Sequence, residues 1–508
     1  MLLGAGHCGH GALSVVFGSW WREHSCPGRA GGAVPGRATG HGAPLQYLGR
    51  PLSKERSMHA TPGSSSRDSW GSQTGFILAA VGSAVGLGNM WRFSYVASQG
   101  GGAAFVLLYL GLVAVIGIPL MTSEFVVGRL AQVSPVKALP MLGGRKWTPL
   151  GWMFVFAGLI ILSYYSVIAG WTMRYAWEAV SSGLPADTEA YFNAAASGSQ
   201  AIGWHVAFMA LTIIIVAGGI KRGIERTAVI LMPVLFVILA GLAVYSFFLT
   251  GSREGYAFYL NPNLGNVFDP QIIGAAAGQA FFSLSLGMGA LITFASYLKG
   301  SNNLAKEATI VALADFSVAF MAGLVVFPIV FTFGLQNQLG ESSLGALFIS
   351  LPAGFASMGA AGKFVGAAFF IMLFFAALTS AISLLEVVVS AIVDSFGMAR
   401  RAVAITMGTI IAIIGIPSAL SLDFLGAADA LVGSFLLILG GFFTAIFVGY
   451  VVLDKVDAEL AIGLPNKSMR KAWAFMVRYV APPILLGVLY LLIAPTWQAV
   501  RTLVGLGN

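Results

Sequence analysis

Beyond a polar, glycine-rich beginning that lasts through Ser69, apolar runs alternate with short polar connections eleven times. The runs lie near 74–97, 102–128, 148–181, 202–219, 225–250, 270–298, 305–335, 361–395, 401–419, 425–453 and 471–495. Each is close to the roughly 20 residues that a helix needs to cross a bilayer, and none shows the ten-residue alternation of a barrel strand. Backbone N–H and C=O groups cannot stay unpaired in hydrocarbon, so runs of this kind must be helical. The pattern predicts an all-α polytopic membrane protein with eleven transmembrane helices.

Composition agrees with the pattern. Soluble domains carry roughly 25% charged residues, whereas this chain has 9% charged and 57% hydrophobic residues, with a mean hydropathy of +0.84. Too little charge remains to cover a water-facing surface of 508 residues. The net charge of +8 does not point to nucleic acid. Six basic residues crowd the first 57 positions, and most of the others recur in alternate connections. Arg129, Lys137, Arg145 and Lys146 follow the second run, Lys221, Arg222 and Arg226 the fourth, Lys299 and Lys306 the sixth, Arg400 and Arg401 the eighth, and Lys455, Lys467, Arg470 and Lys471 the tenth. Basic loops mark the cytoplasmic side, so the N-terminus is expected inside the cell and the C-terminus outside.

Residues 1–66 lack helical periodicity and are expected to be disordered, with Met58 as an alternative start. Cys8 and Cys26, both in that segment, imply no disulfide framework, and the cluster His7, Cys8, His10, His24 and Cys26 fits no standard zinc spacing. An ATP-binding loop and a nucleophile–base–acid set are both missing from the sequence, so an enzyme is not expected.

Two runs are interrupted by glycine. The first reads Gly82-Ser-Ala-Val-Gly-Leu-Gly-Asn89 and the sixth Ser283-Leu-Ser-Leu-Gly-Met-Gly289. Glycine inside a helix costs about 1 kcal/mol relative to alanine, so these clusters predict unwound backbone. Unwound backbone survives at membrane depth where it lines a cavity or is buried in protein. The breaks are five helices apart, and because five is odd the second copy starts on the opposite side of the membrane. That spacing predicts an inverted repeat, 67–250 against 251–453, with a binding site between the breaks and a peripheral eleventh helix within 454–508.

The first break, continued as Met90-Trp-Arg-Phe93 and preceded by Arg67 and Trp70, resembles the first helix of the neurotransmitter:sodium symporter family. Gly100-Gly-Gly-Ala-Ala-Phe105, Gly117-Ile-Pro-Leu120, Tyr164-Tyr165, Gly278 through Gly289 and Leu378-Thr-Ser380 extend the resemblance in order from residue 67 to about 495. The count of eleven and the short loops resemble bacterial, leucine-transporter-like members, and the resemblance implies their fold, a 5+5 inverted repeat with helices one and six broken. It also implies a sodium-coupled symporter in the bacterial cytoplasmic (inner) membrane, importing a small hydrophobic or aromatic amino acid by alternating access, as a monomer or weak dimer. The alternative is an amino-acid-gated sensor or channel on the same fold.

The resemblance also assigns residues. One sodium ion would sit among Ala84, Asn89, Ser283, Asp315 and the substrate carboxylate, and a second among Gly82, Val85, Ala376, Thr379 and Ser380. Leu87 and Gly88 would offer amides, and Tyr165 its hydroxyl, to the substrate carboxylate. Carbonyls near Ala84, Phe282 and Ser283 would accept from its ammonium, and Ser380 borders the same pocket. Ile161, Phe282, Ser285, Met288 and Leu384 would hold its side chain. Monoamine carriers have an aspartate where this chain has Gly86, which favours a substrate bringing its own carboxylate. Chloride-dependent members have a serine at the position of Ala319, and the carboxylate of Asp315 would supply the charge that chloride supplies there. Chloride-independent transport is therefore expected, with Asp315 a candidate for proton exchange. Arg92 and Asp429 resemble an outer gate over Tyr165 and Phe282. Arg67 and Asp394 resemble an inner one, with Trp70, Ser296, Tyr297 and Glu386 around it.

Overall fold

The computed structural model describes residues 68–504, apart from 91, 263–264, 266–267, 301 and 337–342. The expected disorder of 1–66, the alternative start at Met58 and the gate residue Arg67 lie outside the described residues. Within them the secondary structure is helical.

The first predicted run forms α1 (Gln73–Ala84) and α2 (Leu87–Gln99), which meet at an angle of 56°. Single long helices follow: α3 (Ala103–Ala131), α4 (Arg145–Ser181), α5 (Gly198–Ala217) and α6 (Ile220–Phe247). The sixth run is split into α7 (Pro270–Ser283) and α8 (Ala290–Ala295). Then come α9 (Leu304–Thr332), α10 (Ala360–Phe396), α11 (Arg400–Leu420), α12 (Leu422–Val451) and α13 (Lys467–Leu503). Among the described residues, nine helices are long and apolar enough to cross a membrane, and the bent pair makes a tenth. The pieces α7 and α8, of 14 and 6 residues, are each shorter than the roughly 20 residues of a span.

Helices occupy the predicted runs, most within a few residues of the expected limits; the last extends to Leu503, and the spans found among the described residues are fewer than the eleven expected. The apolar pattern did not reveal short helices in the connections, such as Pro135–Gly143, Thr188–Ala195, Ser252–Leu260 and Leu453–Gly463. Their mixed sequences lack a spanning hydrophobic stretch.

Burial separates core helices from outer ones. The most apolar windows of α4 and α10 are 78% buried, against 33% for α5 and 28% for α6. The long helices α4 and α10 pack along one another, and both interrupted elements lie against α10 through α1, α2 and α8. On the outer helices Ile214, Val237 and Phe247 stay exposed. An apolar exterior of this extent suits lipid rather than water.

Both interruptions have the backbone geometry that their glycines foretell. Val85 leaves the helix with φ −71° and ψ 105°. In the second break, Ser285, Gly287 and Gly289 take φ values of 54°, 75° and 74°, the left-handed region. For a side chain longer than hydrogen that region is costly, and at Gly287 a Cβ would also collide with the Leu437 carbonyl of α12.

Candidate functional site

Unwinding α1 after Ala84 strips the usual helical partners from a run of backbone groups. The Ser380 hydroxyl on α10 faces the carbonyls of Gly82, Ser83 and Val85, each at 3.3 Å. These are long for an O–H···O bond, so three acceptors surround one hydroxyl without any of them claiming it. The second break reaches the same spot, because the Ser285 hydroxyl donates to the Ser83 carbonyl over 2.8 Å. At the start of α2 the Leu87 N–H donates to the Tyr165 hydroxyl at 3.2 Å, and Gly86 N–H to the Asn89 side-chain oxygen at 2.9 Å.

Between the breaks lies a small cavity of about 30 Å³. Of the residues predicted to touch substrate, Ala84, Gly88, Ile161, Tyr165, Phe282, Ser283, Ser285, Met288, Ser380 and Leu384 line it. Leu87 is beside it through its bond to Tyr165. Gly86 and Gly88 of the first break are held small by their neighbours. A Cβ on Gly86 would come within 2.8 Å of the Ser380 hydroxyl, and one on Gly88 within 2.8 Å of the Phe282 ring.

A buried polar cluster sits beside the cavity. Asn89 donates to the Asp315 carboxylate at 2.7 Å, to the Asp315 carbonyl at 3.2 Å and to the Ser283 hydroxyl at 3.0 Å. Ser283 in turn donates to both carboxylate oxygens of Asp315, at 2.9 and 2.8 Å. The structure thus brings three of the expected sodium-coordinating side chains together, and Asp315 is wholly buried rather than at a solvated helix end. Around the other expected ion position, the Thr379 hydroxyl bonds back to Phe375 and Ala376 of its own helix at 3.1 Å. Its Cβ nevertheless lies only 3.0 Å from where a Cβ on Gly82 would sit, so α1 and α10 are in close contact there.

The outer charged residues depart from expectation. Among the described residues Arg92 and Asp429 form no ion pair. Arg92 donates to the Ser434 hydroxyl at 3.1 Å and lies 5.5 Å from the Phe282 ring centroid, while Asp429 accepts from Tyr164 at 2.9 Å. Neutral hydroxyls on neighbouring helices have taken the place of the direct contact. One Arg92 guanidinium nitrogen is buried with no hydrogen-bond partner.

On the opposite side, the Trp70 indole donates to the Phe294 carbonyl at 2.8 Å and the Tyr297 hydroxyl to Glu386 at 2.6 Å. Glu386 is fully buried and pairs with Arg400, whose guanidinium also approaches Asp68 at 3.9 Å. Asp394 accepts the Ser134 N–H at 2.6 Å.

Sequence reasoning missed several participants. In the sequence Arg400 reads only as a loop charge. Glu124, fully buried in α3, accepts the Gly287 N–H of the second break at 2.9 Å. An acid within an apolar run is a signal that could have flagged it. Tyr109 donates to Asp315 at 3.2 Å, and nothing in its aromatic surroundings distinguishes it in the sequence. Ser83 and Ser383 also line the cavity, 2.8 Å apart through their hydroxyls.

Comparison with known proteins adds an independent line. The profile of the sodium:neurotransmitter symporter family matches residues 67–199 and 191–500. A protein of Bacillus subtilis described as the uncharacterized sodium-dependent transporter YhdH is 34% identical over 432 residues, covering 81% of this chain and 95% of its own. An uncharacterized sodium-dependent transporter of Methanocaldococcus jannaschii is 33% identical over 445 residues, 84% of this chain and 90% of its own. The crystal structure of MhsT in complex with L-phenylalanine superposes with a TM-score of 0.78 at 43% identity, covering 84% of this chain and 99% of that one.

Proposed function

Because the chain belongs to the sodium:neurotransmitter symporter family, a family of transporters and not of enzymes, we propose that it couples the entry of sodium to the import of a hydrophobic or aromatic amino acid. It is a multi-pass membrane protein of the leucine-transporter type. The reading places it in a bacterial cytoplasmic membrane, with its N-terminus inside and its C-terminus outside, and with 67–250 and 251–453 as inverted repeats.

The observation that carries the reading is the meeting of two broken helices at one small cavity beside a buried carboxylate. Sodium is a hard cation and takes oxygen ligands, as other hard cations do. One ion would be held by Ala84, Asn89, Ser283 and Asp315 together with the substrate carboxylate. A second would be held by the carbonyls of Gly82, Val85 and Ala376 with the hydroxyls of Thr379 and Ser380. The substrate carboxylate would meet the positive end of α2 at Leu87 and Gly88 and the Tyr165 hydroxyl. Because the first ion touches the substrate, each stabilises the other's binding, a reciprocal coupling of the kind that links two sites. Phenylalanine bound to MhsT supports an aromatic substrate, and the apolar lining of Ile161, Phe282, Met288 and Leu384 supports it independently. Asp315 provides a fixed negative charge, which supports transport without chloride.

Rocking of the broken helices against the α4–α10 scaffold would open the cavity to each side in turn. The test is uptake of labelled phenylalanine, tyrosine, tryptophan and leucine into proteoliposomes holding the full chain. Accumulation that follows an inward sodium gradient, and stops when potassium replaces sodium, is expected. Flux that ignores the gradient would point to the channel alternative and overturn the symporter.

A further inference from the structure

At the membrane-surface end of α12 and α13 stands a half-buried arginine. Arg478 lies in α13 with its guanidinium carbon 4.8 Å from the Tyr450 ring centroid and 5.5 Å from that of Tyr479. Its Nε is buried with no hydrogen-bond partner, and it forms no ion pair among the described residues. Stacking on two rings holds the cation in place but leaves its charge uncompensated.

The depth of this site can be read from the helix ends. Tyr450 is the second-last residue of α12, and its hydroxyl donates to the Arg478 carbonyl at 2.7 Å. Arg478 therefore sits level with the end of α12, near the bilayer surface. Arg478 lies in a π-helical turn, Met476–Val480, and its long side chain can extend along the apolar surface toward the headgroups. Seven residues earlier, about two turns along the helix, stands exposed Lys471, with exposed Lys467 four residues before it. Tyr450, Phe475 and Tyr479 around the arginine are 50%, 54% and 55% exposed, so the surface beside the cation is apolar and open.

The geometry points to a binding site for the phosphate of an anionic phospholipid. Arg478 and Lys471 contact the headgroup, the two tyrosines clamp the guanidinium, and Phe475 borders the acyl chains. Arginine suits this task because its planar donor fork can engage phosphate oxygens while a face stays on the ring. Basic residues at the end of a span favour acidic lipid through a short-range field. Open apolar surface next to the cation distinguishes a lipid from a soluble phosphate as the occupant.

The test uses the purified full chain in neutral detergent micelles, titrated with phosphatidylglycerol, phosphatidylcholine or inorganic phosphate. Lipid retention is read by native mass spectrometry and stability by thermal melting. Phosphatidylglycerol is expected to be retained over phosphatidylcholine by about fivefold or more, a preference lost in Arg478→Gln and kept in Tyr450→Phe, which preserves the ring. Inorganic phosphate is expected neither to raise the melting temperature nor to displace the lipid. Equal retention of the two lipids by the unaltered chain, or undiminished preference in Arg478→Gln, would overturn the site. Displacement by inorganic phosphate would overturn the lipid as its occupant. Should Arg478→Gln fail to fold, Lys471→Gln at an exposed position is expected to lower the preference, and an undiminished preference there would overturn the site.

Discussion

The side-chain amide of Asn89 donates to the carboxylate of Asp315 across 2.7 Å, tying the broken first span to α9 inside the protein. Both residues are fully buried. Ser283 and Tyr109 donate to the same carboxylate, so every donor in the cluster is turned toward one negative charge. A sodium ion entering there would find that charge already in place.

Replacing that charge gives the first prediction. Asp315→Asn keeps the shape but loses the charge-assisted part of the contacts, worth about 1.5–3 kcal/mol each. Apparent sodium affinity in proteoliposome uptake should fall by about tenfold or more. Uptake by the unaltered chain should be the same in chloride and in gluconate. A chloride requirement in the unaltered chain would contradict the role given to Asp315.

Two glycines separate binding from folding. Gly86→Ala places a methyl group against Ser380 and Tyr165 at the cavity wall, and should abolish saturable amino-acid binding while leaving the melting temperature nearly unchanged. Gly287→Ala forces a side chain into the left-handed region and against the Leu437 carbonyl. Thermal melting should show that variant destabilised by about 1–3 kcal/mol.

Glu124 supports the second break through an acceptor oxygen. Glu124→Leu leaves the Gly287 N–H buried without a partner, a loss of about 1–3 kcal/mol. Glu124→Gln retains a carbonyl oxygen that can accept the same bond. The glutamine variant should keep most of the melting temperature and uptake, and the leucine variant should lose both. Equal behaviour of the two would show that the bond to Gly287 is not what matters.

Arg400→Gln would strand the fully buried Glu386 with Tyr297 alone. Removing one partner of a buried ion pair costs about 3–5 kcal/mol, so thermal stability should fall sharply. Glu386→Gln combined with Arg400→Gln should recover much of the loss, because no charge is then left unpaired. The comparison of single and double variants by thermal melting measures the pair.

The hydroxyls of Ser83 and Ser383 could meet a polar tip on an aromatic substrate. Ser383→Ala should lower the affinity for tyrosine relative to phenylalanine by about fivefold, the scale of one neutral hydrogen bond. Competition binding with the two amino acids reads that ratio directly.

Much of this protein was determined along the chain itself. A run of apolar residues near 20 long has one way to satisfy its backbone in lipid, so the helices and their order follow from hydropathy. Glycine clusters forbid a stable helix locally, which is why both breaks could be located at Gly82–Asn89 and Ser283–Gly289. Which side chains meet across the breaks is another matter, because it depends on the packing of helices far apart in sequence. Tyr109 reaching Asp315, Glu124 capping Gly287 and Arg400 pairing with Glu386 all join separate elements, and no periodicity encodes them. The outer pair shows the same limit: Arg92 and Asp429 carry the charges of a gate, yet their partners are Ser434 and Tyr164 because those hydroxyls are what the folded helices bring within reach.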